Sequence, residues 1–103
     1  REEVTPEHVA RAEQGLARAR EALLSGDYDI VVLDEVNVAV WFGLLAPGDV
    51  LALLARRPDN VEVVLTGRRA PQEFIERADL VTEMREVKHY YTQGVEARKG
   101  IER

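Results

Sequence analysis

Two adjacent carboxylates follow an apolar run near the middle of the chain. Asp34 and Glu35 come directly after Ile30-Val31-Val32-Leu33. Carboxylates held rigidly at the end of a strand can bind Mg²⁺ directly or through water. The same pair could instead cap the next helix or face solvent, so the pattern alone leaves both interpretations open.

A second polar cluster, Thr66-Gly67-Arg68, follows the predicted strand Val61-Glu62-Val63-Val64-Leu65, which is apolar except for Glu62. A hydroxyl, a flexible glycine and a guanidinium at a strand end suit a phosphate group, because arginine offers a fork of donors. A tight turn with a surface arginine is the alternative.

Other polar and aromatic residues give weaker signals. Lys88 and His89 lie in a polar carboxyl-terminal stretch where a solvated surface is the default, and His8 is expected to be an exposed helix residue. Trp41 and Phe42 are more typical of a core than of a ligand-stacking group.

The elements that position these residues can be predicted from capping signals and periodicity. Thr5-Pro6-Glu7 begins a helix that Ser25-Gly26 ends, and its apolar residues recur at three- and four-residue steps. Helices are also predicted from Pro47 to Arg57-Pro58 and from Pro71 to Ala78, whereas residues 36–42 could be a short helix or an extended segment. Strands are predicted at residues 28–33, 61–65 and 80–84.

Alternating strands and helices with short links indicate an α/β fold with a parallel sheet and flanking helices. The continuous apolar runs predict strands that are buried on both faces. Because ligands bind beyond the carboxyl ends of such strands, Asp34-Glu35 and Thr66-Gly67-Arg68 should meet at one edge of the sheet.

Composition limits the possible functions. The 103 residues carry a net charge of −5, which argues against a surface that coats nucleic acid. The chain contains no cysteine, which excludes thiolate chemistry and fits a cytoplasmic protein, and neither a signal peptide nor a membrane span is predicted. No Gly-x-x-x-x-Gly-Lys-Ser/Thr segment is present, so the amides that would cradle phosphates are missing.

The chain resembles the corrinoid adenosyltransferases of the cobalamin pathway over about residues 20–103. The resemblance begins at Val31-Val32-Leu33-Asp34-Glu35-Val36-Asn37. Its most specific segments are Thr66-Gly67-Arg68, Ala78-Asp79-Leu80-Val81-Thr82-Glu83-Met84 and Val87-Lys88-His89, in that order.

The resemblance implies the carboxyl-terminal part, residues 1–103, of a single RecA-like α/β domain of the phosphate-loop type that lacks its phosphate-loop strand. Such enzymes work as homodimers and transfer the 5′-deoxyadenosyl group of ATP to Co(I) of a corrinoid, releasing triphosphate. The corrinoid is cob(I)alamin or cob(I)yrinic acid a,c-diamide, and a reductase could supply Co(I). The protein positions the reactants and neutralises charge, and it supplies no covalent nucleophile.

Residue roles follow from the same resemblance. Glu35, with Asp34 beside it, matches the acidic pair associated with Mg²⁺, and Thr66, Gly67 and Arg68 match the turn that faces the triphosphate. Lys88 and His89 match a segment near the active site.

Two departures qualify the resemblance. Glu86 occupies a position where the family usually has proline. The phosphate loop and the Phe-x-Trp corrinoid segment lie upstream in the family and are absent from residues 1–103. These residues alone are therefore expected to be incompetent for transfer. A non-catalytic α/β interaction module that has lost its nucleotide site is the alternative, and another phosphate-loop ATPase or kinase is a weaker third reading.

Overall fold

The computed structural model describes residues 4–84, which form an α/β arrangement of four helices and two strands. In chain order the elements are α1 (Pro6–Ser25), β1 (Ile30–Leu33), α2 (Val36–Trp41), α3 (Pro47–Ala55), β2 (Glu62–Leu65) and α4 (Gln72–Arg77).

Helix α1 begins and ends where the capping residues predict. The backbone N–H of His8 donates to Oγ1 of Thr5 (3.2 Å), and the backbone N–H of Thr5 donates to Nδ1 of His8 (3.4 Å). Pro6 occupies the first turn, and Gly26 ends the helix in the left-handed conformation at φ 82°. His8 is exposed, as expected, and completes the cap.

The strands pair in parallel, as predicted, with β1 next to β2 in a two-stranded sheet. Val32 lies opposite Val64, and Leu33 lies opposite Leu65. The N–H of Thr66 donates to the carbonyl of Leu33 (3.2 Å), which carries the pairing one residue past β2. The ends of the two strands are thereby fixed side by side.

One apolar core joins the helices to the sheet. Residues 36–42, for which the sequence allowed two interpretations, form helix α2. Alternate side chains of β1 are buried, and they pack with side chains from all four helices. The buried apolar residues are Leu16, Leu23, Val31, Leu33, Val36, Leu45, Val50, Leu53, Val61 and Phe74.

The prediction that the strands are buried on both faces is wrong for this part of the chain. Ile30, Val32 and Val64 are 55%, 54% and 43% exposed. With two strands, one face packs against the core and the other, here called the outer face, remains open to solvent. A β-branched run predicts strand, but the number of covered faces depends on what packs there.

Two further predictions are corrected. Residues 80–84 form no strand in the described structure, and Leu80 and Met84 are 84% and 83% exposed. A strand needs a neighbour with free backbone hydrogen-bonding groups, which propensity cannot supply. Trp41, expected in the core, is 48% exposed because it ends the short helix α2 at the surface. None of the described helices is long and apolar enough to span a membrane.

Candidate functional site

The two polar clusters meet at the carboxyl end of the sheet, as the sequence predicts. The hydroxyl of Thr66 donates to Oδ1 of Asp34 (2.9 Å) and accepts a hydrogen bond from the backbone N–H of Glu35 (2.8 Å). A single hydroxyl therefore connects the end of β2 to both carboxylate residues that follow β1.

Glu35 has an unusual backbone for its residue type. It lies in the left-handed region at φ 60° and ψ 23°, a conformation that costs most non-glycine residues roughly 1–2 kcal/mol. Although Glu35 occupies the position before α2, its side chain makes no capping hydrogen bond. The capping interpretation of this carboxylate is therefore not supported, whereas its exposure agrees with the solvent-facing alternative. The strained backbone nevertheless identifies the position as a functional candidate.

Gly67 allows the turn after β2 to approach the segment after β1. Its φ of 119° is rarely adopted by residues with a side chain. A Cβ at this position would lie 3.2 Å from Cβ of Asn37 and 3.3 Å from Oε1 of Glu35. The backbone angle favours glycine here, and the two neighbours leave little room for a side chain.

Asn37 is the residue that sequence reasoning missed as a member of the site. Its side chain is 5% exposed, and Nδ2 donates to the carbonyl of Gly67 (2.7 Å). Its backbone N–H donates to the carbonyl of Thr66 (3.2 Å). The sequence did offer one signal for Asn37: it is a polar residue two positions after Glu35, on the first turn of a short helix.

The other side-chain atom of Asn37 is not satisfied. Oδ1 is buried and accepts no hydrogen bond from the described residues. Leaving such an acceptor unpaired costs about 1–3 kcal/mol, so packing alone does not account for an amide at this position. We refer to Asp34, Glu35, Asn37, Thr66 and Gly67 together as the strand-end cluster.

The two arginines after Gly67 differ in their surroundings. Arg68 is exposed, and its side chain makes no hydrogen bond or ion pair with another described residue. The guanidinium of Arg69 stacks over the ring of Trp41, 4.5 Å from its centroid, and the backbone of Arg69 is left-handed at φ 60°. Of the remaining residues predicted from the sequence, Lys88 and His89 lie outside the described residues.

An open groove of about 260 Å³ adjoins the strand-end cluster. Small residues of α1, including Ala12, Gly15 and Ala19, form one side. The other side runs from Val32 to Glu35, along the end of β1 and the two residues that follow it. The groove is therefore apolar along most of its length, with the two carboxylate residues at one end.

The acidic pair does not by itself form a complete metal site in the part of the chain that the structure describes. Within residues 4–84, no group of three or more His, Cys, Asp or Glu side chains could hold a metal ion. Mg²⁺ in nucleotide sites commonly takes one or two protein carboxylates and fills its other positions with phosphate oxygens and water. Glu35 and the second oxygen of Asp34 could supply such carboxylate ligands, since Thr66 donates only to Oδ1 of Asp34.

Comparison with known proteins extends beyond the described residues. Residues 1–103 match the model of the family described as ATP:corrinoid adenosyltransferase BtuR/CobO/CobP. A corrinoid adenosyltransferase of Pseudomonas aeruginosa is 45% identical over 94 residues, which are 91% of this chain and 46% of that protein.

Two more relatives carry the same name. The Sinorhizobium sp. corrinoid adenosyltransferase is 39% identical over 95 residues, 91% of this chain and 44% of the relative. The Escherichia coli K12 protein is 37% identical over 84 residues, 82% of this chain and 43% of the relative. The chain thus spans less than half the length of these curated relatives.

Proposed function

This chain belongs to the ATP:corrinoid adenosyltransferase family, and we propose that it is the carboxyl-terminal part of an enzyme that adenosylates corrinoids. The reaction transfers the 5′-deoxyadenosyl group of ATP to Co(I) of the corrinoid. Co(I) supplies the electron pair of the new Co–C5′ bond, and triphosphate leaves with the pair of the broken C5′–O bond. Residues 1–103 would then be part of a single RecA-like domain whose phosphate-loop strand comes from elsewhere in the protein.

The main support for the proposal is that hydrogen bonds join the residues after β1 to the residues after β2. Thr66 bonds to Asp34 and to the backbone of Glu35, and Gly67 packs against Glu35. These residues have the chemistry that a magnesium–polyphosphate group needs: carboxylates for the ion, and a hydroxyl and a nearby guanidinium for phosphate oxygens. In a family that uses ATP, this edge of the sheet is the favoured place for the triphosphate.

The residues divide the work by chemistry. Glu35 and Asp34 would hold Mg²⁺, which when bound neutralises charge on the triphosphate. Asp34 also orients Thr66, because the hydroxyl donates to Oδ1. The guanidinium of Arg68 is exposed and has no partner among residues 4–84, so it would be available to a phosphate oxygen, and such a contact would stabilise the leaving triphosphate.

Other parts of the proposal rest on family membership alone. Lys88 and His89 would lie near the active site, and the corrinoid would be cob(I)alamin or cob(I)yrinic acid a,c-diamide. The enzyme would act as a cytoplasmic homodimer, with a reductase supplying Co(I). Residues 1–103 by themselves would not catalyse transfer, because the phosphate-binding loop is not among them.

The direct test is anaerobic incubation of the full-length product of the gene that encodes this chain with reduced cobalamin and Mg-ATP. We expect a light-sensitive adenosylated corrinoid and one triphosphate for each corrinoid converted. A folded protein that gives neither product would overturn the proposal in favour of the other candidate, a non-catalytic α/β interaction module.

Replacement of Arg68 tests the phosphate-facing turn. Arg68→Ala should raise the dissociation constant for Mg-ATP roughly tenfold, because a hydrogen bond between charged groups is lost. Isothermal titration of the full-length protein measures the change, and Arg77→Ala, at the exposed end of α4, is the matched control. Equal dissociation constants for Arg68→Ala and the control would show that Arg68 is a surface arginine that does not contact the nucleotide.

A further inference from the structure

The turn after β2 presents two consecutive carbonyl groups to one residue. The carbonyl of Thr66 accepts from the backbone N–H of Asn37 (3.2 Å), and the carbonyl of Gly67 accepts from Nδ2 of Asn37 (2.7 Å). Asn37 therefore fixes the orientation of both peptide planes, one with its main chain and one with its side chain.

This arrangement also fixes two N–H groups. In a planar trans peptide, the C=O and N–H bonds point in opposite directions. Because the carbonyls of Thr66 and Gly67 face Asn37, the N–H groups of Gly67 and Arg68 face away from it. Both residues are exposed, and neither amide donates a hydrogen bond to a described residue.

We propose that Asn37 is a positioning residue that holds the Gly67 and Arg68 amides together as a binding site for a phosphate oxygen of the nucleotide. This inference rests on the proposed function and assigns two main-chain donors to it. Adjacent backbone N–H groups that point the same way form concave sites for oxyanions. The side chain of Arg68 begins at the same place and adds a positive charge.

The buried amide of Asn37 supports a role beyond packing. Oδ1 is buried without a partner among residues 4–84, whereas Nδ2 makes the short bond to the Gly67 carbonyl. An apolar side chain would fill the same space without an unpaired Oδ1, but it would leave the carbonyl of Gly67 without its Nδ2 donor. What the amide adds is control of the Gly67–Arg68 peptide plane.

The carboxylate of Glu35 beside the turn would favour one class of anion over another. Its Oε1 lies 3.3 Å from the position that a Cβ of Gly67 would occupy, so a carboxylate adjoins the turn. A bare anion bound at the turn would be repelled by this carboxylate, whereas a polyphosphate that carries Mg²⁺ would bring a positive charge toward Glu35. The ligand class is therefore a magnesium-bound polyphosphate.

The first experiment uses the unaltered full-length protein, so it does not depend on a variant that folds. Amide proton shifts are recorded by NMR during titration with Mg²⁺ and inorganic tripolyphosphate. We expect saturable downfield shifts at Gly67 and Arg68, and a much smaller change at Gly43, a left-handed glycine outside the cluster. Shifts at Gly67 and Arg68 no larger than that at Gly43 would overturn the inference.

The second experiment tests Asn37 itself. Asn37→Leu keeps the branching at Cγ and adds no charge, but it removes the donor to the Gly67 carbonyl. We expect the dissociation constant for Mg²⁺-tripolyphosphate to rise roughly tenfold and the two amide shifts to shrink, whereas Asn60→Leu, on an exposed loop, should change neither. A lower melting temperature with unchanged affinity and unchanged amide shifts would show that Asn37 is only structural.

The outcomes separate this inference from the proposed function. Wild-type protein that adenosylates cobalamin but shows no response at the two amides would overturn the inference alone. Protein that binds tripolyphosphate at these amides but transfers no adenosyl group would support the inference and overturn the proposed function.

Discussion

The carboxyl end of the sheet and its outer face use their side chains in different ways. In the strand-end cluster, Thr66 and Asn37 make specific hydrogen bonds between segments about 30 residues apart in sequence. On the outer face, Val32 and Val64 lie opposite each other in the parallel pair, yet both remain about half exposed.

The difference shows where substitutions should matter. Polar contacts in the cluster are directional, and breaking one leaves its partners unpaired, which costs more than the bond itself contributes. Exposed apolar side chains on the outer face lose little when they are replaced, because little of their surface has been removed from water. Matched substitutions in the two regions therefore test whether the cluster is organised for function.

The largest effect is expected at Gly67. Gly67→Ala would place a methyl group 3.2 Å from Cβ of Asn37 at a φ of 119°, so we expect a loss of roughly 2 kcal/mol or more in the free energy of unfolding. Mg-ATP binding should weaken as the turn shifts. Chemical denaturation and titration of the full-length protein measure the two effects.

Gly15→Ala is the control for that change. Gly15 lies inside α1, and no neighbouring atom of the described part of the chain is within 4 Å of the Cβ that would be added. Alanine there should stabilise the protein by about 0.5–1 kcal/mol. Similar effects at the two glycines would contradict the close approach described for the cluster.

A smaller effect is expected from exchanging threonine and valine between the regions. Thr66→Val removes the hydroxyl shared by Asp34 and the Glu35 N–H, and should cost roughly 1–2 kcal/mol of unfolding free energy. Val32→Thr, the reverse change on the outer face, should stay within about 0.5 kcal/mol of the wild type. The comparison fails if chemical denaturation gives the larger loss for Val32→Thr.

The smallest effects concern Glu35 and Arg69, the two residues other than glycine with a left-handed backbone within residues 4–84. Asparagine tolerates this conformation, so Glu35→Asn should stabilise the protein by up to about 1 kcal/mol while weakening Mg-ATP binding. Arg69→Asn gains similar relief but loses the stacking on Trp41, worth about 0.5–1 kcal/mol, so its net change should be near zero.

Affinity separates these two variants more clearly than stability. Titration with Mg-ATP should give a wild-type dissociation constant for Arg69→Asn, because Arg69 is engaged with Trp41 outside the cluster. Weaker Mg-ATP binding by Arg69→Asn than by Glu35→Asn would contradict the proposal, because it would indicate that Arg69 contacts the nucleotide.

The sequence was sufficient to predict that Asp34-Glu35 and Thr66 meet. Parallel strands bring their carboxyl ends to one edge, and each cluster directly follows an apolar run. The start and end of α1 were equally predictable, because Thr5, Pro6 and Gly26 act through local backbone rules.

Features that depend on tertiary neighbours were not predictable in this way. In the sequence, Asn37 has no feature that distinguishes it from other polar residues. Its hydrogen bond to the carbonyl of Gly67 depends on how α2 is placed in the fold. Residues 80–84 have strand-forming composition, but pairing depends on an adjacent edge. Trp41 was assigned to the core by its size, whereas its place at the end of α2 decides its exposure.

The most direct test of the central claim is the Mg²⁺ dependence of adenosyl transfer by the full-length protein and its Glu35→Gln variant. The substitution keeps the size of the side chain and removes its charge, and Glu62→Gln, exposed on β2, is the matched control. We predict that Glu35→Gln needs roughly tenfold or more Mg²⁺ for half-maximal rate, or transfers proportionally more slowly, whereas Glu62→Gln matches the wild type. Identical rates and Mg²⁺ requirements in all three proteins would contradict the assignment of the strand-end cluster to magnesium-bound ATP.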